Sequence, residues 1–193
     1  MQANETHTHS CYYAEIPLRD GTAALVRPVE REDAGRLQAM LGRLSERSVY
    51  MRYHRYIARW PEEEIGRFTE VDYDDRFALV AEHGPDQRII AVVFYARLPD
   101  DPHRAEVAIT VEDEHQGLGA GPRLLEMIAR AAADHGIDAF EADVLGNNER
   151  MMRVLRGSPY PLTVGLKYGV VHVEMPIRVE TPDTGVTDLC SVR

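Results

Sequence analysis

Lysine is almost missing from this chain: of 22 basic residues only Lys167 is a lysine, and the others are arginine. A phosphate loop of the G-x-x-x-x-G-K-[ST] kind is therefore excluded. Cysteine is nearly as scarce, with two residues, Cys11 and Cys190, near opposite ends. Neither belongs to a C-x-x-C pair, so a disulfide framework is not supported. A nucleophilic role is also disfavoured, because terminal segments seldom build rigid sites. No apolar run approaches the ~20 residues needed to cross a bilayer. The N-terminal stretch lacks the basic-then-apolar layout of a signal peptide, so a cytoplasmic protein without membrane contact is expected. Positive charge is the minority, 22 basic against 32 acidic residues for a net charge of −10. The basic footprint of a nucleic-acid binder is absent. His7 and His9 have no further ligand at metal-site spacing, and no metal is expected.

What remains is ordinary for a soluble globular protein: 193 residues, 44% hydrophobic, enough for one domain with a core. Residues 1–15 are polar and irregular and read as a flexible tail, as do residues 179–193. The domain is placed at 16–178. Within it, residues 23–28 predict a short strand stopped by Pro28. Glu30, Glu32 and Asp33 then open a helix with an apolar stripe at Leu37, Met40, Leu41 and Leu44. Ser45 caps a further helical stretch over 45–57, and Pro61 opens another. The period then changes. Residues 76–83, 88–98 and 104–111 are rich in β-branched and aromatic side chains and read as three strands. A long amphipathic helix follows to about His135, closed by Gly136. Residues 139–145 read as a strand, 148–156 as a short helix, and 160–166 with 170–177 as a closing hairpin. This order predicts one α/β (α+β) domain: a mixed, mostly antiparallel sheet of six to seven strands flanked by helices, with a single crossover.

The crossover begins QGLGAG, with Gly117, Gly119 and Gly121 crowded at the start of the clearest helix. Each glycine costs roughly 1 kcal/mol against alanine in a helix. The first N–H groups of a helix have no internal partner and carry partial positive charge. Glycines let an anion come close to them. A dinucleotide fingerprint fails, because the third glycine position falls on Pro122 or Leu124. The pattern Q/R-x-x-G-x-G/A is met by Gln116, Gly119 and Gly121.

On these residues the chain resembles the GNAT N-acetyltransferase superfamily, whose members carry acyl groups on coenzyme A. The resemblance spans about residues 18–177. It implies acetyl-CoA as co-substrate, with the pyrophosphate on Gln116, Gly117, Leu118, Gly119, Ala120 and Gly121. It implies pairing of the pantetheine arm with the backbone of Ile109 and Val111, and a coenzyme contact from Asn148. Pro122 departs in detail, since it removes one N–H. Upstream, the segment LSERSVYMRYH is similar to bacterial protein-lysine acetyltransferases. In that subgroup the domain is often fused to a regulatory or synthetase domain. The chain's length leaves no room for one, so control by a ligand is not carried over. A lysine-modifying protein this poor in lysine would present little of itself to modify.

The resemblance also implies a catalytic glutamate on the strand 104–111, and Glu106 occupies that place. Both faces of this strand are mostly apolar, which predicts a buried Glu106 with a pKa moved toward the range of a general base. The tyrosine acid common in the family falls on Leu155. Tyr160 is expected in the core, and Tyr168 in the hairpin is a weak substitute. His115 is expected as an exposed loop residue. Tyr50, Arg52 and His54 are either acceptor-channel residues or part of a helix that buries Val49, Tyr53 and Tyr56 with Arg52 in an ion pair. The acceptor is expected to be a protein lysine. The alternatives are a small amine, such as a polyamine or amino acid, a non-catalytic acyl-CoA sensor, and a nucleotide-binding module. A homodimer through the closing hairpin is left open.

Overall fold

In the computed structural model, residues 12–57 and 60–178 are described. The order is β1 (Ala14–Pro17), β2 (Ala23–Pro28), α1 (Ala34–Gly42), α2 (Glu46–Tyr53), α3 (Glu62–Thr69), β3 (Arg76–His83), β4 (Arg88–Leu98) and β5 (Asp101–Val111). It continues with α4 (Ala120–Asp134), β6 (Ala139–Leu145), α5 (Glu149–Arg156), β7 (Thr163–Lys167) and β8 (Val170–Pro176). The strands form one eight-stranded sheet in the order β1-β2-β3-β4-β5-β6-β8-β7. All neighbours are antiparallel except β5 and β6, which the α4 crossover makes parallel. The mixed α/β architecture is as expected, but the sheet is larger than six to seven strands. The additional strand is β1, which begins inside the segment read as a tail. Tyr12 is buried there, set edge-on to Phe77 and donating to Asp134. His7, His9, Cys11, Cys190 and the tail 179–193 lie outside the described residues. No described helix is long and apolar enough to cross a membrane.

β3 and β4 read as unbroken apolar runs because both their faces are covered. On one face α4 inserts Leu124, Leu125 and Ile128 against Phe77, Leu79, Val93 and Tyr95. On the other, α1 and α3 bring Leu37, Met40, Leu41 and Phe68 onto Ala78, Val80, Val92 and Phe94. Each such fully buried side chain stabilises the fold by about 1.5–3 kcal/mol. The helix expected over 45–57 stops at Tyr53, where His54 turns left-handed (φ 55°) and its N–H donates to Tyr50 O. Tyr56 is 73% exposed rather than buried. β7 starts at Thr163, three residues later than expected, and β5 starts at Asp101, three residues earlier.

A buried ion cluster fixes the start of α1 to the sheet. Arg27 on β2 makes a two-pronged contact with Asp33, at 2.7 Å on both nitrogens, and reaches Glu82 on β3 at 2.6 Å. Burial alone would raise the Asp33 pKa. The hydrogen bonds from Arg27 and from Glu30 N–H outweigh it and hold the carboxyl below the usual range. Removing the cation would strand two buried carboxylates beside Arg36, which is only partly sheltered. Arg27→Met should therefore lower unfolding free energy by about 3–5 kcal/mol, read from urea denaturation. A loss below about 1 kcal/mol would mean that the cluster is not a structural anchor.

Candidate functional site

β5 stays paired with β4 to its end, Ala91 opposite Val111. Its pairing with β6 covers only Arg104 to Glu106, opposite Ala139 to Glu141. On its other edge β6 pairs with β8 along its whole length. Strands β5 and β6 part and leave a cleft lined by Glu106, Val107, Ala108 and Ile109 on one wall and Ala142, Asp143 and Val144 on the other. Met51, Arg52, Asn148, Met151 and Leu155 complete it. Glu112 N–H donates to Ile90 O on β4. Alternation along an antiparallel pair then turns the N–H and C=O groups of Val107, Ile109 and Val111 away from β4, toward the cleft. This wall is an open strand edge inside the sheet. The Val111 carbonyl accepts from Gln116 Nε2 at 2.9 Å.

The glycine turn closes the wide end of this edge. Gly117 (φ 82°) and Gly119 (φ 98°) have backbone angles that other residues rarely adopt. Gly121 serves packing instead: a Cβ there would meet Val154 Cγ2 of α5 at 3.3 Å. Among the described residues the N–H groups from Gly117 to Gly121 have no acceptor. Buried or not, such donors collect at the start of α4, where the helix dipole favours negative charge. Pro122 falls in the first turn and contributes none. Gln116 does not point at this nest. Its amide donates to Val111 O and to Ser48 Oγ (3.1 Å), and its oxygen accepts from Arg150. It acts as a latch joining β5, α2 and α5 behind the turn.

Other residues fix the turn that composition gave no reason to single out. Arg19, in the β1–β2 connection, donates its N–H to Leu118 O at 2.9 Å and a guanidinium N–H to Gly117 O at 3.3 Å. This places a positive charge on the rim of the nest. Asp113 accepts from Ser45 N–H (2.9 Å), Ser45 Oγ (2.7 Å) and Ser48 Oγ (2.8 Å), so α2 is moored to the segment just after β5. Burial opposes ionisation of Asp113, but the Ser45 and Ser48 bonds win and lower its pKa. His115 is buried, contrary to expectation, with its ring 5.2 Å from that of His83. Burial pushes its pKa down, against the pull of Glu112.

Glu106 lines the narrow end, but it is exposed, not buried. The apolar neighbours that suggested burial, Ala105 and Val107, point to the opposite face, and β6 no longer covers the strand above Glu106. Across the cleft, Arg52 on α2 lies over the Tyr53 ring (4.9 Å) and near Phe94 (5.8 Å). Burial pushes its guanidinium pKa down, while Tyr53 and Glu106 pull it back up. The ion pair that one of the two readings gave Arg52 is not found among the described residues. Tyr50 and His54 are not in the cleft; Tyr50 stacks on Tyr56 at 5.2 Å, and His54 is exposed. Asn148 caps α5, its side chain accepting from Met151 N–H at 3.1 Å, and lines the cleft. Leu155 is a buried cleft residue without a proton to give. Tyr160 is half-buried beside Glu126 and Arg130, on the α4 side, and Tyr168 is 95% exposed at the hairpin tip.

The sheet face that carries Glu106 also carries Glu141, His172 and Glu174, whose ligand atoms lie within 4.8 Å of one another. Arg104 bridges the two glutamates at 2.8 and 2.9 Å, and this ion pairing accounts for their proximity.

An open strand edge running from a carboxylate to a nest of free N–H groups defines a class of acyl-carrier sites. Residues 45–157 match the Acetyltransferase (GNAT) family, and the chain belongs to it. Acetyltransferase Pat of Mycolicibacterium smegmatis is 30% identical over 141 residues, covering 72% of this chain and 42% of that protein. Acetyltransferase PA5475 of Pseudomonas aeruginosa is 29% identical over 142 residues, covering 72% and 74%. Among solved structures, the GNAT domain of S. lividans PAT superposes with a TM-score of 0.80 at 36% identity, over 86% of this chain and 98% of that one. A cAMP-binding acyltransferase from Mycobacterium smegmatis gives 0.59 at 27%, over 87% and 48%. This chain thus spans less than half the length of Pat and of that acyltransferase.

Gly119→Ala tests whether the turn's conformation matters. A Cβ at φ 98° meets no close atom, only Arg19 at 3.8 Å, so the cost is backbone strain. A loss of about 1 kcal/mol or more is expected in thermal unfolding. An unchanged melting temperature would show that this φ is not required.

Proposed function

We propose that this chain transfers an acetyl group from acetyl-CoA to an amine, the favoured acceptor being a protein lysine side chain, by direct attack within a ternary complex. The observation that carries this reading is the parting of β5 and β6 at Glu106, with free N–H donors at the far end of the same edge. The residues fit the coenzyme. Gly117, Leu118, Gly119, Ala120 and Gly121 would hold its diphosphate, with Arg19 adding charge. The backbone of Ile109 and Val111 would hydrogen-bond the pantetheine arm, and Asn148 would contact it from α5. The coenzyme supplies an acyl group activated as a thioester.

The chain's own groups handle the proton. A lysine amine with pKa near ~10.4 is mostly protonated at neutral pH and must lose a proton before it attacks. Glu106 lies at the narrow end of the cleft and is open to solvent, so it takes that proton directly or through one water. Among the described residues there is no cysteine to form an acyl-enzyme. Since Leu155 offers no acid, the departing thiolate takes its proton from water. Protein lysine is preferred over a small amine because the segment LSERSVYMRYH, which holds α2, resembles bacterial protein-lysine acetyltransferases, and relatives named Pat match this chain. The buried Leu155 favours one second reading, an acyl-CoA sensor without turnover. A homodimer through the hairpin is supported by exposed Val164, Leu166 and Tyr168 around edge strand β7.

Glu106→Gln should reduce kcat at neutral pH by roughly 10²–10⁴-fold and leave the dissociation constant for acetyl-CoA nearly unchanged. Turnover equal to the parent would remove Glu106 from the mechanism. Coenzyme binding with no turnover by the parent on any lysine peptide or amine would favour the sensor.

A further inference from the structure

Arg52 is a cation without a counter-ion at the reacting end of the cleft. Its Nε has no access to water and no hydrogen-bond partner. No carboxylate among the described residues pairs with it, and Glu106 acts on it only at longer range. Tyr53 and Phe94 hold the guanidinium in place. The tether of α2 through Ser45, Ser48 and Asp113 fixes the helix that presents it. Other sheltered or partly sheltered arginines of this domain have carboxylate partners: Arg27 is paired with Asp33 and Glu82, Arg43 with Glu112, Arg97 with Asp74 and Asp75, and Arg104 with Glu141 and Glu174. Arg52 as a whole is only partly buried, but its Nε is shut away from water without a partner, which is costly unless a ligand in the cleft completes the group.

We propose that Arg52 forms a carboxylate subsite beside the point of acyl transfer. The ligand is a substrate whose reacting group lies a few bonds from a carboxylate. Two sources share this chemistry: an acyl chain that ends in a carboxylate, and an amine acceptor that carries one. The planar guanidinium suits a carboxylate, which accepts two parallel N–H bonds. Met51, Ala108, Ile109 and Leu155 give the cleft an apolar part, where such a bond is stronger, while Glu106 and Asp143 are the carboxylates that line it. Glu106, on the facing wall, repels a carboxylate placed next to it. The subsite therefore accepts the anion only on the Arg52 side, which orients the substrate. This inference rests on the cleft being the acyl-transfer site.

The test compares pairs of substrates matched in length. One arm offers succinyl-CoA against butyryl-CoA with a fixed lysine peptide. The other offers an amino acid acceptor against the same amine with its carboxylate amidated, using acetyl-CoA. In one arm kcat/KM should favour the carboxylate by about tenfold or more, the range of one charge-assisted hydrogen bond. Arg52→Gln should bring that ratio to about one, and Arg52→Lys should keep part of it. The arm that responds identifies the source. Ratios near one in both arms for the parent protein would overturn the proposal whether or not the variants fold. Failure to bind any of these coenzymes would instead strike at the acyl-transfer reading itself. A preference unchanged in a folded Arg52→Gln would place the carboxylate elsewhere.

Discussion

Backbone pairing that stops early is the constraint on which the rest of this structure depends. A strand buried in the middle of a sheet should have both edges satisfied, since unpaired N–H and C=O groups out of water are costly. β5 meets that rule on its β4 side and breaks it on its β6 side after Glu106. The α4 crossover returns the chain parallel to β5, and β6 pairs with β8 along its whole length but with β5 over only three residues. The cleft is thus a product of topology. The helices α2 and α5 roof it, and the glycine turn lies at the mouth, so one edge passes a ligand from anchor to reaction point.

Rigidity around this edge comes from polar groups that are each spoken for. Asp113 moors α2, Gln116 latches three elements together, and Arg27 binds the opening of α1 to β2 and β3. Two large apolar clusters pack on opposite faces of β3 and β4. Three groups along this edge have no partner among the described residues: the N–H donors from Gly117 to Gly121, the open side of β5, and Arg52 Nε. Native proteins satisfy nearly all buried polar groups, which makes the clustering of these three along one edge notable.

Much of the frame could be read from residue order. Runs rich in β-branched and aromatic residues marked β3, β4 and β5, the stripe of α4 marked its helix, and QGLGAG marked the turn. What failed depended on contacts distant in sequence. β1 hides in a polar stretch because its worth comes from Tyr12 packing on Phe77, far along the chain. Glu106 seemed buried because strand alternation tells which residues share a face, but not where a neighbouring strand departs. Arg19 gave no sign at all, since its partners Gly117 and Leu118 meet it only in the folded chain. His115 looked like a loop residue until His83 of β3 covered it. The proximity of Glu141, His172 and Glu174 likewise arises across strands.

The central claim is that the open edge of β5 and the glycine turn form one continuous ligand track. Amide NMR during a titration with coenzyme A tests it most directly. The account predicts that the resonances of Gly117 to Gly121 move and that the amides of Val107, Ile109 and Val111 gain protection from hydrogen exchange, in a single saturable step. Shifts confined to the outer hairpin β7–β8, or none in these residues at saturating coenzyme, would contradict it.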